Sequence, residues 1–279
     1  RDVLGSRGLG DVYKRQSMNK AVLVVSFGTS YKETRDKTIR ACEKKIHDCL
    51  SDYDFYHAYT SDKIIEKIKI KDGIHIDTPK QSLENLYKKG YQEVIVQSLH
   101  ILCGEEYQEL SEVVRQYKSK FQKIVLGNPL LVDHENYDEV VEAIEDQLPD
   151  LKENEALVFM GHGTMTQSNE QYSKIESMIR SHGINAYVAT LEGDLKLERV
   201  IENLHRHNIR RVHLMPLMLV AGYHAVKDMT GDKKDSWKNV LEGEGFEVKV
   251  HLQGLGENIK IQEIFVKLSL IHISEPTRP

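Results

Sequence analysis

Eight short β-rich runs, separated by longer amphipathic stretches, constrain this 279-residue chain more than any other feature. The runs are residues 21–27 (AVLVVSF), 54–59, 93–99 (EVIVQSL) and 123–126, then 156–160 (ALVFM), 186–190, 211–217 (RVHLMPL) and 247–251. Helical stretches between them cover 35–50, 79–89, 105–120, 136–148, 169–180 and 196–207. Strands that are apolar almost throughout are buried on both faces, and helices alternating with them cover a parallel sheet. Eight strands could close one barrel. The polar stretch 148–154 (LPDLKEN), which contains Pro149, instead divides them into two sets of four. The expected fold is α/β: two similar Rossmann-like lobes, each a roughly four-stranded parallel sheet flanked by helices, with a cleft between them.

The two sets read as copies of one unit. Residues 24–29 (VVSFGT) align with 159–164 (FMGHGT), each a strand running into a Gly-Thr turn. Residues 94–107 (VIVQSLHILCGEEY) align without gaps with 212–225 (VHLMPLMLVAGYHA), Gly104 falling opposite Gly222. The alignment pairs His162 with Phe27 and His224 with Glu106. Ligands of open parallel sheets bind just beyond the carboxyl ends of the strands. Two such lobes facing each other put these four residues around one cleft.

Composition sets the function classes aside by elimination. A net charge of −5 with mixed charges gives no footprint for nucleic acid, and one Trp with 7% aromatic residues gives no base-stacking surface. No apolar run is long enough to span a membrane. Three cysteines make neither a disulfide framework nor a CxxC site, which fits a reducing compartment, and residues 1–17 lack the apolar core of a signal peptide, so a cytoplasmic setting is expected. Residues 1–17 and 269–279 share no periodicity with their neighbours and read as non-native extensions. That reading leaves an N-terminal lobe at 18–148, a C-terminal lobe at 149–255, and a last helix at 256–268 that the junction truncates.

His162 stands in Gly161-His162-Gly163 at the end of a buried strand, where flanking glycines allow a sharp turn and close approach of a ligand. It is either a ligand or a histidine held in a tight turn. His224 follows an apolar strand that opens through Gly222 onto a helix start, as a cleft ligand or as a cap. Glu192 ends another strand of the same lobe. Two imidazoles and one carboxylate suit a first-row divalent ion and leave coordination positions open. Glu105 and Glu106 open a helix, where carboxylates favour the dipole in any case. His100, at a strand end near Glu106, can line the cleft. His47, His182, His205 and His207 read as solvated, and His213 and His251 as alternating outward on their strands.

Residues 18–29 (MNKAVLVVSFGT), 97–107 (QSLHILCGEEY), 159–163 (FMGHG), 213–224 (HLMPLMLVAGYH) and 235–238 (DSWK) together resemble the anaerobic sirohydrochlorin cobaltochelatases of the CbiK type, within the class II chelatases. The likeness runs nearly end to end over residues 18–267. It implies two α/β lobes with a tetrapyrrole cleft, and insertion of Co2+ into sirohydrochlorin or precorrin-2 for anaerobic cobalamin synthesis, without ATP or another nucleotide. It implies that His162, Glu192 and His224 hold the metal, and that Glu106 assists metal or proton traffic from the opposite wall. His162 is expected to accept pyrrole protons as well.

The expected tetrapyrrole-lining set is Ser26, Phe27, Gly28, Thr29, His100, Leu219 and Val220; Tyr223 receives no role. The alternatives are a chelatase for Fe2+ or Ni2+ and a non-catalytic tetrapyrrole or metal carrier. Neither nucleic acid nor a membrane is an expected partner, and a homo-oligomer is compatible with the sequence. A nucleotide-binding Rossmann enzyme has no support, since no GxGxxG follows any strand of residues 18–267.

Overall fold

Two four-stranded parallel sheets, not a barrel, organise the computed structural model, which describes residues 19–132, 134–165 and 169–273, except for the side chains of His134, Glu135 and His224. The expected extension at 1–17, the start at Met18 and residues 274–279 of the expected tail lie outside the described residues. The first sheet holds β1 (Lys20–Ser26), β2 (Asp54–Tyr59), β3 (Glu93–Ser98) and β4 (Lys123–Gly127) in the order β2-β1-β3-β4. The second holds β5 (Glu155–Gly163), β6 (Ala186–Glu192), β7 (Arg211–Pro216) and β8 (Glu247–Val250) in the order β6-β5-β7-β8. Adding four to each strand number converts one sheet into the other, so the internal repeat is topological as well as sequential.

Strand alternation divides the core into layers. In the first sheet Ala21, Leu23, Val25, Val94 and Val96 face out, beneath α4 (Pro79–Lys88) and α5 (Glu105–Gln116), while Val22, Val24 and Ile95 face in. In the second sheet Ala156, Val158, Met160, Val212 and Leu214 face out, beneath α8 (Leu197–Arg206), α9 (Tyr223–Thr230) and α10 (Trp237–Gly243). Leu157, Phe159, Val188 and Met215 face in. Both inner faces share one cluster with α2 (Ile39–Cys49), α6 (His134–Glu145), α7 (Asn169–Ser181) and α11 (Ile259–Leu270). After finishing the second sheet the chain therefore returns: α11 packs on α2, α6 and β3 through Ile261, Ile264 and Phe265.

Local signals set the helix ends. Thr78 and Gln81 form a reciprocal capping box, with Pro79 at the first helical position of α4. Ser61 caps α3 (Asp62–Asp72), which stops at Gly73 in the left-handed region. Asn258 caps α11 by accepting from Lys260 N and Ile261 N.

Four expectations need correction. The helix expected over 35–50 is two, α1 (Lys32–Lys37) and α2, broken at Thr38, whose φ/ψ of −115°/−81° departs from helix. The stretch 105–120 ends its α-helix at Gln116 and finishes as a short 3-10 turn, Lys118–Lys120. His213 does not face outward. It shares the covered inner face with Met215 and is buried, its Nε2 2.9 Å from Glu155 Oε2 and its Nδ1 2.9 Å from His251 Nε2. The last helix also continues to Leu270, with Ser269 buried inside it.

Candidate metal and tetrapyrrole site

The carboxyl ends of β1 and β5 make matching turns. Gly28 and Gly163 both lie in the left-handed region, with φ of +96° and +80°. Neither tolerates a side chain: a Cβ on Gly28 would sit 2.6 Å from Tyr59 Cδ2, and one on Gly163 2.1 Å from the Glu192 carbonyl oxygen. Phe27 and His162, one residue earlier in each turn, are consequently both presented to solvent at the strand ends.

The other glycine beside His162 has a packing reason, because a Cβ on Gly161 would lie 2.5 Å from Tyr172 Cε1. Burial pushes the Tyr172 phenol up to about 12, so it stays a neutral hydroxyl that accepts from Gly163 N at 3.4 Å. His162 Nδ1 is 3.2 Å from the Gly163 carbonyl, which can only accept. Nδ1 therefore carries the proton in the neutral ring, and Nε2 offers its lone pair to an ion or a proton.

The second pair of equivalent ends follows β3 and β7. Gly104 and Gly222 are the N-caps of α5 and α9, and Glu106 and His224 are the second residues of those helices. Glu106 is exposed, and its Oε2 lies 3.4 Å from His100 Nε2. The His100 side chain is only 10% exposed. Its Nδ1 is 2.6 Å from Ser98 Oγ, its backbone N–H donates to that same oxygen at 3.0 Å, and its Nε2 has no partner of hydrogen-bond geometry among the described residues. The His100 ring stands edge-on to Tyr107, whose hydroxyl donates to the Gly127 carbonyl. The corresponding end of β3 in the first lobe thus carries a surface carboxylate backed by a largely covered imidazole and a hydroxyl.

Glu192 is the last residue of β6, exposed and in register with Gly163. That register places His162 alongside Leu191, and the pleat sends His162 and Glu192 toward opposite faces of the sheet at its edge. The chain turns at once through Gly193, φ +91°, against the Thr164 carbonyl and Asn169. The Asn169 side chain accepts from Thr164 N at 3.0 Å and donates to Thr164 O at 2.7 Å, tying the two turns together. Among the described residues no three His, Cys, Asp or Glu side chains converge as a metal site. Of the expected ligands, His224 is described by its backbone alone.

Of the expected ring-lining residues, Phe27 is exposed, and Leu219 and Val220 are half-buried. Leu219 O is held by Gly256 N at 2.9 Å. Ser26 is buried, with no hydrogen-bond partner for its hydroxyl among the described residues. Thr29 is buried where the lobes meet, its Oγ1 3.8 Å from the position of a Cβ on Gly222.

Sequence reading missed four residues beside these strand ends. Arg35, on α1 and 1% exposed, donates from Nη1 to the Thr29 carbonyl at 3.2 Å, and its Nη2 lies 3.5 Å from Asp72 Oδ2. Met165 and Val226 add exposed apolar surface beside the strand ends, and Tyr223 an exposed ring. A large apolar residue directly after a strand-end glycine turn or at a cleft helix start was the available signal. Two surface concavities, of about 320 and 620 Å³, lie away from this cleft, the first between α6 and α7 and the second against α4.

Two four-stranded parallel α/β units with matching glycine turns at the ends of their first strands form a chelatase-like fold. Its solved likenesses agree on the fold: SirB from Bacillus subtilis with Fe3+ (TM-score 0.61, 16% identity, covering 90% of this chain and 94% of that one) and the multi-domain DR2241 from Deinococcus radiodurans (TM-score 0.58, 13% identity, covering 91% and 55%). The chain belongs to the cobalt chelatase (CbiK) family, whose family model matches residues 20–274. It is 42% identical over 249 residues to the sirohydrochlorin cobaltochelatase of Salmonella typhimurium, covering 89% of this chain and 94% of that protein. It is 29% identical over 258 residues to the sirohydrochlorin cobaltochelatase CbiKC of Nitratidesulfovibrio vulgaris, covering 91% and 89%.

Proposed function

We propose that this cobalt chelatase inserts Co2+ into sirohydrochlorin at the carboxyl ends of its strands, with His162, Glu192 and His224 holding the incoming ion. The observation that carries the assignment is the His162 ring, exposed between two glycines whose positions admit no Cβ, with Nδ1 engaged and Nε2 without a partner among the described residues.

Insertion replaces two pyrrole protons by one divalent cation, so two protons leave for each ion that enters. As the ring nitrogens take the ion from His162 Nε2, the lone pair freed there accepts one of the two pyrrole protons. Glu106, backed by His100 and Ser98, takes the proton released toward the opposite wall. Phe27, Leu219 and Val220 supply apolar contact to the ring, and the Ser26–Thr29 turn shapes the wall of the first lobe. The reaction needs no nucleotide, because four nitrogen ligands replace solvent on the ion. Three unpaired cysteines fit work in a reducing cytoplasm.

Absorbance changes of sirohydrochlorin with Co2+, run beside Fe2+, Ni2+ and precorrin-2, measure the reaction directly. Insertion is expected with Co2+ and lost in His162→Ala, with circular dichroism unchanged. Full activity in His162→Ala sinks the assignment, and tight binding without turnover in the native chain would make it a carrier.

A further inference from the structure

Tyr223 opens α9 immediately before His224, and its ring is 47% exposed. Lys227, one turn along the same helix, places Nζ 5.5 Å from the centre of that ring. Lys67, on α3 of the other lobe, places its Nζ 5.6 Å from the same centre. Two ammonium groups from opposite lobes thus converge on one aromatic side chain at the mouth where Thr29 meets Gly222. Neighbouring lysines on α1 and α2 are neutralised one turn away: Lys32 by Asp36, Lys37 by Glu33 and Lys44 by Asp48. Among the described residues neither Lys67 nor Lys227 has a carboxylate within 4.0 Å. The face of a tyrosine offsets part of the repulsion between two such cations, and an anion lying between them offsets far more.

We propose that Lys67, Tyr223 and Lys227 form a subsite for the peripheral carboxylates of the tetrapyrrole, gripping the substrate from both lobes at once. This rests on the reading that the ring is centred near His162 and His224. Sirohydrochlorin carries acetate and propionate arms around its rim, all ionised at neutral pH, and they begin at the ring edge, well outside its central nitrogens. A subsite one residue from His224 is at the right place for the rim rather than the centre. Lysine suits the task, because a point charge with rotatable donors on a flexible stem follows a flexible arm. Tyr223 adds an apolar face for the ring edge between the two cations. The consequence is selectivity: polycarboxylate tetrapyrroles are held, and poorly ionised ones are not.

The test compares Lys67→Gln, Lys227→Gln and the double variant with the native chain, using Lys80→Gln on the outer helix α4 as a control. Each is assayed for Co2+ insertion and for direct binding of metal-free sirohydrochlorin, read by its own fluorescence. The double variant is expected to raise KM and Kd about tenfold, with kcat falling less than about threefold, the pattern of lost substrate binding. Added NaCl is expected to raise KM in the native chain and much less in the double variant. Lys80→Gln behaves as the native chain.

Lowered thermal stability with KM, Kd and salt dependence unchanged would show that the lysines only latch the lobes, and would overturn the proposal. His162→Ala is read in the same two assays. If it inserts normally, the placement of the ring has failed; if it is inactive while the lysine variants bind normally, only the subsite has failed.

Discussion

Gly104 and Gly222 hold one backbone conformation, with φ/ψ of −94°/−166° and −87°/−167°, each capping the helix that follows the third strand of its sheet. The match extends to the turns after the first strands, where Gly28 and Gly163 are both left-handed. Two copies of one unit therefore frame the cleft, and their divergence is chemical: Glu106 on one wall stands where His224 stands on the other, and Phe27 where His162 does. Duplication supplied the geometry and substitution made the two walls different.

The glycine turns give the sharpest test of that frame. Gly163→Ala forces a side chain into left-handed backbone and against the Glu192 carbonyl at 2.1 Å. It is expected to cost about 2–4 kcal/mol in urea denaturation, strain and clash together, and to abolish Co2+ insertion. Gly183, φ +79°, has nothing within 4 Å of its absent Cβ. Gly183→Ala carries only the strain, about 1–2 kcal/mol, and should leave insertion intact. Equal loss of activity in both would mean that stability, not the turn at His162, limits the reaction.

Arg35 is the buried support for the other wall. Removing its guanidinium leaves the Thr29 carbonyl without its donor and Asp72 without its partner at 3.5 Å. Arg35→Met is expected to destabilise by about 3 kcal/mol, the usual cost of breaking a buried charge pair. KM for the tetrapyrrole should rise, since the Phe27–Thr29 segment loses its anchor. Arg35→Lys keeps the charge but not the fork, so it should recover part of the stability and little of the KM. Unaltered KM in Arg35→Met would remove Arg35 from the site.

How much of this was legible follows from which forces are local. Strand positions and the repeat could be read because apolar runs and glycine turns are written in contiguous residues. The break at Thr38 was not, because no proline or glycine marks it and tertiary packing of α2 on α11 sets it. The shared central layer was also hidden: an amphipathic period reveals that a helix buries one face, not that α2, α6, α7 and α11 bury theirs between two sheets. His213 was misread for the same reason. Alternation gives an outward side only when one face of a sheet is wet, and here both are covered. At the site, His162 could be singled out by its glycines, while Arg35 could not, because a buried arginine looks like a surface one until its partners are known.

The His213 cluster makes stability pH-dependent. Burial first, then the neighbouring His213, hold the His251 pKa below its ordinary 6.5. The folded state thus binds fewer protons than the unfolded one as pH falls below 6.5, and stability declines over that window. Glu155, held below its ordinary 4.5 chiefly by its hydrogen bond with His213, adds a second loss at lower pH as it is protonated. Thermal melts should fall between pH 7.5 and 5.5, and His251→Gln, which keeps a hydrogen-bonding group but cannot titrate, should flatten that first decline. A profile unchanged by the substitution would remove His251 as its source.

The returning helix α11 makes the two sheets one folding unit. Phe265 is fully buried and belongs to the same cluster as Val22 of the first sheet and Phe159 of the second. Truncation to alanine removes a ring that nothing nearby can replace, at an expected cost of about 3–5 kcal/mol. If each sheet folded with its own helices alone, that loss would fall on the first sheet and split the melting curve in two. With α2, α6, α7 and α11 shared between the inner faces, loosening one member loosens the packing under both. Phe265→Ala is therefore expected to lower a single calorimetric transition without dividing it, and to weaken insertion, because Gly256, at the approach to α11, also donates to Leu219 O beside the cleft. Two resolved transitions, with the second at its original temperature, would show that the sheets fold separately.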